Sequence, residues 1–208
     1  MTRAMERDLR LAALVLAAGA GSRFSREPGA KLLAEVDGEP MLARVLGQVA
    51  AFAPAATVVV LGHGAARIEA AIRWTDELRV RNPAPGRGIA SSLRVGIEAL
   101  RAQPDAFDGA FIVLGDQPAL RADVMRTLEG AAARARPADR PAVVPRYDVS
   151  GPRNPVLLLR PAWVWVDELE GDHGLAPLIE GRPDMVLSVD VPGQMPDVDT
   201  ADDLERLS

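Results

Sequence analysis

The chain contains no cysteine. Disulfides, thiolate nucleophiles and cysteine-based zinc sites are thereby excluded, and a reducing compartment, the cytoplasm, is expected. Histidine is almost as scarce: His63 and His173 are the two, and neither has a second histidine at ligand spacing. Each reads as a loop or surface histidine, and a zinc enzyme is not expected. The chain also lacks an apolar run of the roughly 18 or more residues that a membrane helix needs. The apolar stretch 11–18 precedes small residues as a secretory signal would, but Glu6 and Asp8 dilute its positive flank and a buried first strand explains it equally well. Cationic excess is missing too: the formal net charge is −5. A broad footprint for nucleic acid or anionic membrane is therefore not expected, and any anionic ligand must be met by a local site. No polar linker, internal repeat or low-complexity tract divides the sequence.

What remains is an ordinary globular composition, 48% apolar and 25% charged over 208 residues, enough for one domain, 1–208. Strand-like apolar runs recur at 11–17, 57–61, 78–80, 110–114, 142–144, 156–159 and 185–189. Between most of them lie segments of helical period at 40–52, 65–73, 89–101 and 121–135. Several runs are apolar throughout rather than alternating, as strands buried on both faces are. The pattern predicts a three-layer α/β/α, Rossmann-like domain around a mostly parallel sheet. Ligands of such sheets bind beyond the carboxyl ends of the strands. The turn-rich stretch 145–152 predicts a hairpin or lid near the sheet's edge, shaping a second pocket.

The first strand runs into LAAGAGSRFSREPGAKLL, residues 16–33. A dinucleotide fingerprint needs a third glycine where Phe24 stands, and a Walker A loop needs Ser or Thr where Leu32 follows Lys31. Glycines at a strand end that free backbone N–H groups, with Arg23 and Lys31 close behind, suit a phosphate; the bland alternative is two solvated cations. A second loop, NPAPGRGIASSL at 82–93, opens a helix whose first turn offers N–H groups and the Ser91 and Ser92 hydroxyls, to a nucleotide or simply to the helix start. Asp116 follows the run 110–114, and Asp199 lies near the C-terminus. Magnesium takes one or two carboxylates plus substrate phosphates, while a turn at Asp116 and a capping box from Thr200 to Asp203 would account for the same segments without a metal.

Taken in order, LAAGAGSR with Lys31, the loop ending SSL, GDQP at 115–118, NPVLL at 154–158, GDHG at 171–174 and DVDT at 197–200 resemble the motifs of the molybdenum cofactor cytidylyltransferases of the MobA-like NTP transferase family. Ala18 and Gln117 resemble the CTP-using branch more than the GTP-using one. The resemblance implies a nucleotide-diphospho-sugar-transferase-like fold, with a nucleotide-binding half at 1–140 and an acceptor-binding half with a C-terminal metal-ligand segment at 141–208. It implies magnesium-dependent transfer of CMP from CTP to molybdopterin, release of pyrophosphate, and transient contact with a molybdoenzyme. By match to the family's motifs, Leu16, Ala17, Ala18 and Gly19 would approach base and ribose. Gly21, Ser22, Arg23 and Lys31 would face the triphosphate, Asn82 and Ser92 would lie near the nucleotide, and Asp116 and Asp199 would hold the metal.

The chain departs from the family pattern in three places. Residues 25–30 stand between Phe24 and Lys31 in a first loop longer and differently shaped than the family's usual RxGxxK, GPRNP at 151–155 stands where GxRGHP is usual, and GDHGLA stands for GDxGAR. The last two lie on the acceptor side, so nucleotide use is more fully carried by the sequence than molybdopterin. Three alternatives follow: a nucleotidyltransferase for another phosphorylated acceptor such as a sugar phosphate, a non-catalytic nucleotide-binding relative, and a nicotinamide oxidoreductase, against which the missing third glycine argues. Trp163 and Trp165 either stack on a pterin or pack in the core.

Overall fold

The computed structural model describes residues 8–135, 139–149, 151–196, 200 and 203. In chain order the elements are β1 (Leu11–Ala17), α1 (Ala30–Leu33), β2 (Glu35–Val36), β3 (Glu39–Pro40), α2 (Met41–Phe52), β4 (Ala56–Leu61), α3 (Ala65–Ala71), β5 (Leu78–Arg81), α4 (Ile89–Arg101), β6 (Gly109–Leu114), α5 (Ala122–Arg134), β7 (Ala142–Tyr147), β8 (Val156–Leu159), α6 (Ala176–Glu180) and β9 (Val186–Val191). Among the described residues they build a seven-stranded sheet in the order β5-β4-β1-β6-β8-β7-β9, with β2 and β3 a separate antiparallel pair. Only β8 runs against its neighbours. The three-layer, mostly parallel α/β expectation holds.

All seven residues of β1 are buried, because the strand lies inside the sheet and is covered on both faces. Alternation sends its side chains into two cores. Leu11, Ala13, Val15 and Ala17 face a layer containing Val45 of α2, Ile68 of α3 and Leu128 of α5. Ala12, Leu14 and Leu16 face Leu93 and Ile97 of α4, Trp163 and Ile179 of α6. Helix α4 lies close because residue 96 is glycine: a Cβ there would crowd the methyls of Leu14.

One expectation changes. The stretch after β7 does turn into a hairpin, but its return strand β8 inserts between β6 and β7, and β9 takes the edge. For the indoles, the packing alternative holds. Residues 160–168, assigned to no element from the sequence, wind as a 3-10 helix. That winding buries both indoles, with Trp163 donating its N–H to the Leu158 carbonyl (3.1 Å) and Trp165 covered by the Arg182 guanidinium. Packing, not pterin stacking, is their role. No helix of the described residues is long and apolar enough to cross a membrane.

Candidate active site

The register of the central strands assembles the site. Leu16 pairs with Leu114 of β6, and Ala17 pairs with Leu61 of β4, so three strands end level. Beyond those ends Gly115 N–H still donates to the Leu16 carbonyl (2.9 Å), and His63 N–H donates to the Ala18 carbonyl (3.3 Å). The loops after β1, β4 and β6 are thereby drawn around one cavity of about 490 Å³.

Residues 16–24 line that cavity continuously, so Leu16, Ala17, Ala18, Gly19, Gly21, Ser22 and Arg23 are brought together there, with Lys31, Ser92 and Asp116 on the walls. The longer loop leaves Lys31 on the cavity wall. Phe24 and Ser25 N–H groups both donate to the Gly21 carbonyl, the Ser25 hydroxyl accepts from Glu27 N–H (3.1 Å), and the Glu27 carboxylate pairs with Arg67 of α3. Pro28 and Gly29 then lie on Gly64, where a Cβ would come within 2.6 Å of the Pro28 carbonyl carbon; Gly64 also has φ +72. The extra residues form a turn docked on α3, and the chain re-enters through α1.

Lys31 is only 9% exposed, and its ammonium donates to the Asp116 Oδ2 at 2.6 Å. A buried ammonium costs desolvation, which an adjacent carboxylate offsets. The pair thus joins the loops after β1 and β6 and presents one positive and one negative group to the same cavity.

Asn82 behaves differently from Ser92. Its side-chain amide donates to the hydroxyls of Ser91 (2.8 Å) and Ser92 (2.9 Å), while its oxygen accepts from Ala84 N–H (2.9 Å). It is buried and holds the loop in shape rather than lining the cavity. The opening of α4 is also less free than a bare helix start, since Ala90 N–H donates to the Gly171 carbonyl (3.2 Å) and Ser91 N–H to that of Gly88 (3.1 Å). Asp199 lies outside the described residues, but its neighbourhood is consistent with a capping box: Thr200 N–H donates to the Asp203 carboxylate (2.9 Å) and Asp203 N–H to the Thr200 hydroxyl (3.3 Å).

Two titratable side chains, His63 and Asp172, line the cavity beyond those the sequence assigns to the nucleotide. His63 stands two residues past β4, at a strand end, where the sequence reads a loop or surface histidine. Asp172 lies in the GDHG motif that the sequence assigns to the acceptor side, and the fold brings it instead to the cavity of the glycine loop.

A second cavity, about 360 Å³, shares the wall formed by Leu16, Ile89 and Leu114 with the first. Its far side is the β7–β8 hairpin, with Arg153 and Asn154, and its floor includes Leu175, Ile179 and Glu180. Tyr147 steadies that hairpin by donating its hydroxyl to the Asn154 carbonyl at 2.7 Å. Burial pushes the Tyr147 phenol up to about 12; Arg121 pulls it down and Asp123 adds to the rise. The unfolded phenol ionises near about 10, so the folded state favours the neutral form. That contribution to stability is complete below the unfolded value and is lost as pH climbs through the folded one. Tyr147 is the single tyrosine of the chain. Its tyrosinate absorbance is expected to titrate near 12, with the melting temperature falling over the same interval; a midpoint at the ordinary value would mean the phenol is free of the hairpin.

Magnesium or manganese would suit this donor set. Such hard ions accept one or two carboxylates and complete their shell with water and substrate phosphate. Among the described residues no group of three or more His, Asp or Glu side chains is placed to hold a metal alone. Asp116, at the cavity wall beside the glycine loop, is the carboxylate that fits, with the remaining ligands left to a bound triphosphate.

A model of the MobA-like NTP transferase domain matches residues 13–191. The chain belongs to this family. A bifunctional protein GlmU of Sphingopyxis alaskensis is 38% identical over 135 residues, 64% of this chain but 28% of that protein. The MobA-like chain therefore spans little more than a quarter of the length of this curated relative. Rv0371c of Mycobacterium tuberculosis H37Rv superposes with a TM-score of 0.81 at 28% identity, covering 96% of this chain and 97% of that one. The same mycobacterial protein has also been solved in complex with manganese. The fold alone is shared with a CMP:2-keto-3-deoxy-manno-octonic acid synthetase complexed with CTP, at TM-score 0.71 and 20% identity over 94% and 96% of the two chains.

Proposed function

We propose that this MobA-like chain transfers CMP from CTP to a phosphate group of a small acceptor in the cytoplasm, with molybdopterin as the acceptor that its ordered motifs favour. The observation that carries the reading is the Lys31–Asp116 pair, facing a glycine-loop cavity that abuts a second cavity across a common wall. The first cavity receives the nucleotide and the second the acceptor. An acceptor phosphate oxygen attacks the α-phosphorus, a P–O bond forms there, and the bond to the β-phosphate bridging oxygen breaks to release pyrophosphate. No general base is required, because a phosphate monoester is already largely ionised near neutral pH. Lys31 and Arg23 meet the phosphate charge, and the backbone of residues 19–22 fixes the chain of phosphates against the strand end. A divalent ion held by Asp116 and the phosphates would supply charge neutralisation and alignment.

A sugar-phosphate acceptor is the second reading. It is favoured by the similarity to GlmU and by the polar groups of the second cavity, Arg153, Asn154 and Glu180, which suit a hydroxylated ligand. The test is a panel of CTP, GTP, ATP and NADH, each with and without magnesium, read as a shift in melting temperature. CTP with magnesium is expected to give the largest shift. Pyrophosphate release with molybdopterin or with sugar phosphates then separates the two acceptors. Response to NADH alone, or to no nucleotide, would remove the transferase reading.

A further inference from the structure

Asp172 belongs to the half of the sequence expected to serve the acceptor, yet it lines the cavity of the glycine loop. Its segment does not wander there. The N–H of Ala90 donates to the Gly171 carbonyl (3.2 Å), the Arg94 guanidinium donates to the Leu169 carbonyl, and His173 N–H closes a turn on the Glu170 carbonyl (3.2 Å). Gly88 lies so near that a Cβ on it would come within 2.6 Å of the Asp172 nitrogen. Two turns of α4 thus fix the backbone just before Asp172, at the end of the cavity formed by Pro85, Gly86 and Gly88. Among the described residues no cation or hydrogen-bond donor engages its carboxylate.

A carboxylate is an acceptor only, and beside a triphosphate it would repel its neighbour. The cations of the cavity, Arg23 and Lys31, stand on the glycine-loop side. The groups of a nucleotide that a carboxylate can receive are the O–H groups of the ribose and the N–H groups of the base. We infer that Asp172 binds the donor nucleotide, accepting hydrogen bonds from hydroxyl or amino groups of its nucleoside half, so that the segment 169–175 serves both cavities. This rests on the transferase reading above.

The test is calorimetric binding, without acceptor, of CTP, CMP and inorganic tripolyphosphate to the full chain and to Asp172→Asn. The expected result is affinity for CTP and CMP about tenfold weaker, the scale of a hydrogen bond to a charged group, with tripolyphosphate unchanged. Lys31→Met is expected to show the converse, losing tripolyphosphate and retaining most of its CMP affinity. In the unsubstituted protein, weaker binding of 2′,3′-dideoxy-CTP would place the contact on the ribose, and weaker binding of UTP would place it on the cytosine amine. Equal affinities in Asp172→Asn, tighter binding, or a loss seen only for CTP with metal would overturn the inference while leaving the transferase reading standing. Failure of the unsubstituted chain to bind any nucleotide would overturn both. Asp172 is exposed, so the asparagine variant should melt with the parent, and a matching melting temperature is the control.

Discussion

Asp116→Asn is expected to lower pyrophosphate release by about 10²- to 10³-fold, the usual cost of removing one preorganised electrostatic contact from a transition state. The substitution preserves shape and hydrogen-bonding capacity but removes the charge that faces Lys31 at 2.6 Å. A neutral amide is a poor ligand for a hard divalent ion, and it no longer aligns the Lys31 ammonium electrostatically. The fold should survive, because Asp116 retains about a third of its side-chain exposure (34%) and lies past the end of β6 rather than in the core. The decisive comparison is turnover at saturating CTP and metal, alongside the melting temperature. Full activity would remove Asp116 from the mechanism, and loss of both activity and fold would mean that the ion pair is structural.

Gly88→Ala is expected to destabilise the chain by about 2–5 kcal/mol, combining a left-handed backbone with an overpacked contact. Gly88 has φ +86, and a Cβ on it would run into the Gly171 backbone and come within 2.6 Å of the Asp172 nitrogen. Relief requires the segment 169–175 to move off α4, breaking the Ala90 to Gly171 hydrogen bond. Equilibrium denaturation measures the loss, and CTP affinity should fall with it. Stability equal to the parent's would show that the two loops separate without cost.

Why some of this was legible in the sequence and some was not has a physical basis. The runs at 11–17, 57–61 and 110–114 stand out because strands covered on both faces must be apolar throughout, and helices α4 and α5 because one stripe of each meets the sheet. The glycine loop is readable because its chemistry is contiguous, and residues 16–23 reach the cavity together. Strands β2 and β3, two residues each, are too short to show a period. The 3-10 helix at 160–168 hides because it is short and opens on Arg160 and Pro161 directly after β8, with no break between the two elements. Asn82 looks like a ligand residue, and only the folded loop shows its amide engaged by Ser91 and Ser92. Asp172 is legible as part of GDHG, but its place at the first cavity is not, because that depends on a contact between Gly88 and Gly171, which no local window contains.

The reversed strand β8 has a consequence for how such a chain changes over time. Because β8 runs antiparallel between β6 and β7, the chain leaves and re-enters the sheet at the same edge, and the hairpin between Tyr147 and Val156 opens beside the end of β6. Its length and composition are not fixed by the strand register on either side, whereas the loop after β1 is confined by α3, β4 and β6 at once. On the proposed reading, acceptor preference would have a module of its own. Insertions there would retune what is modified while the donor chemistry stays constant, and exchanging that hairpin between relatives would be the economical route to a new specificity.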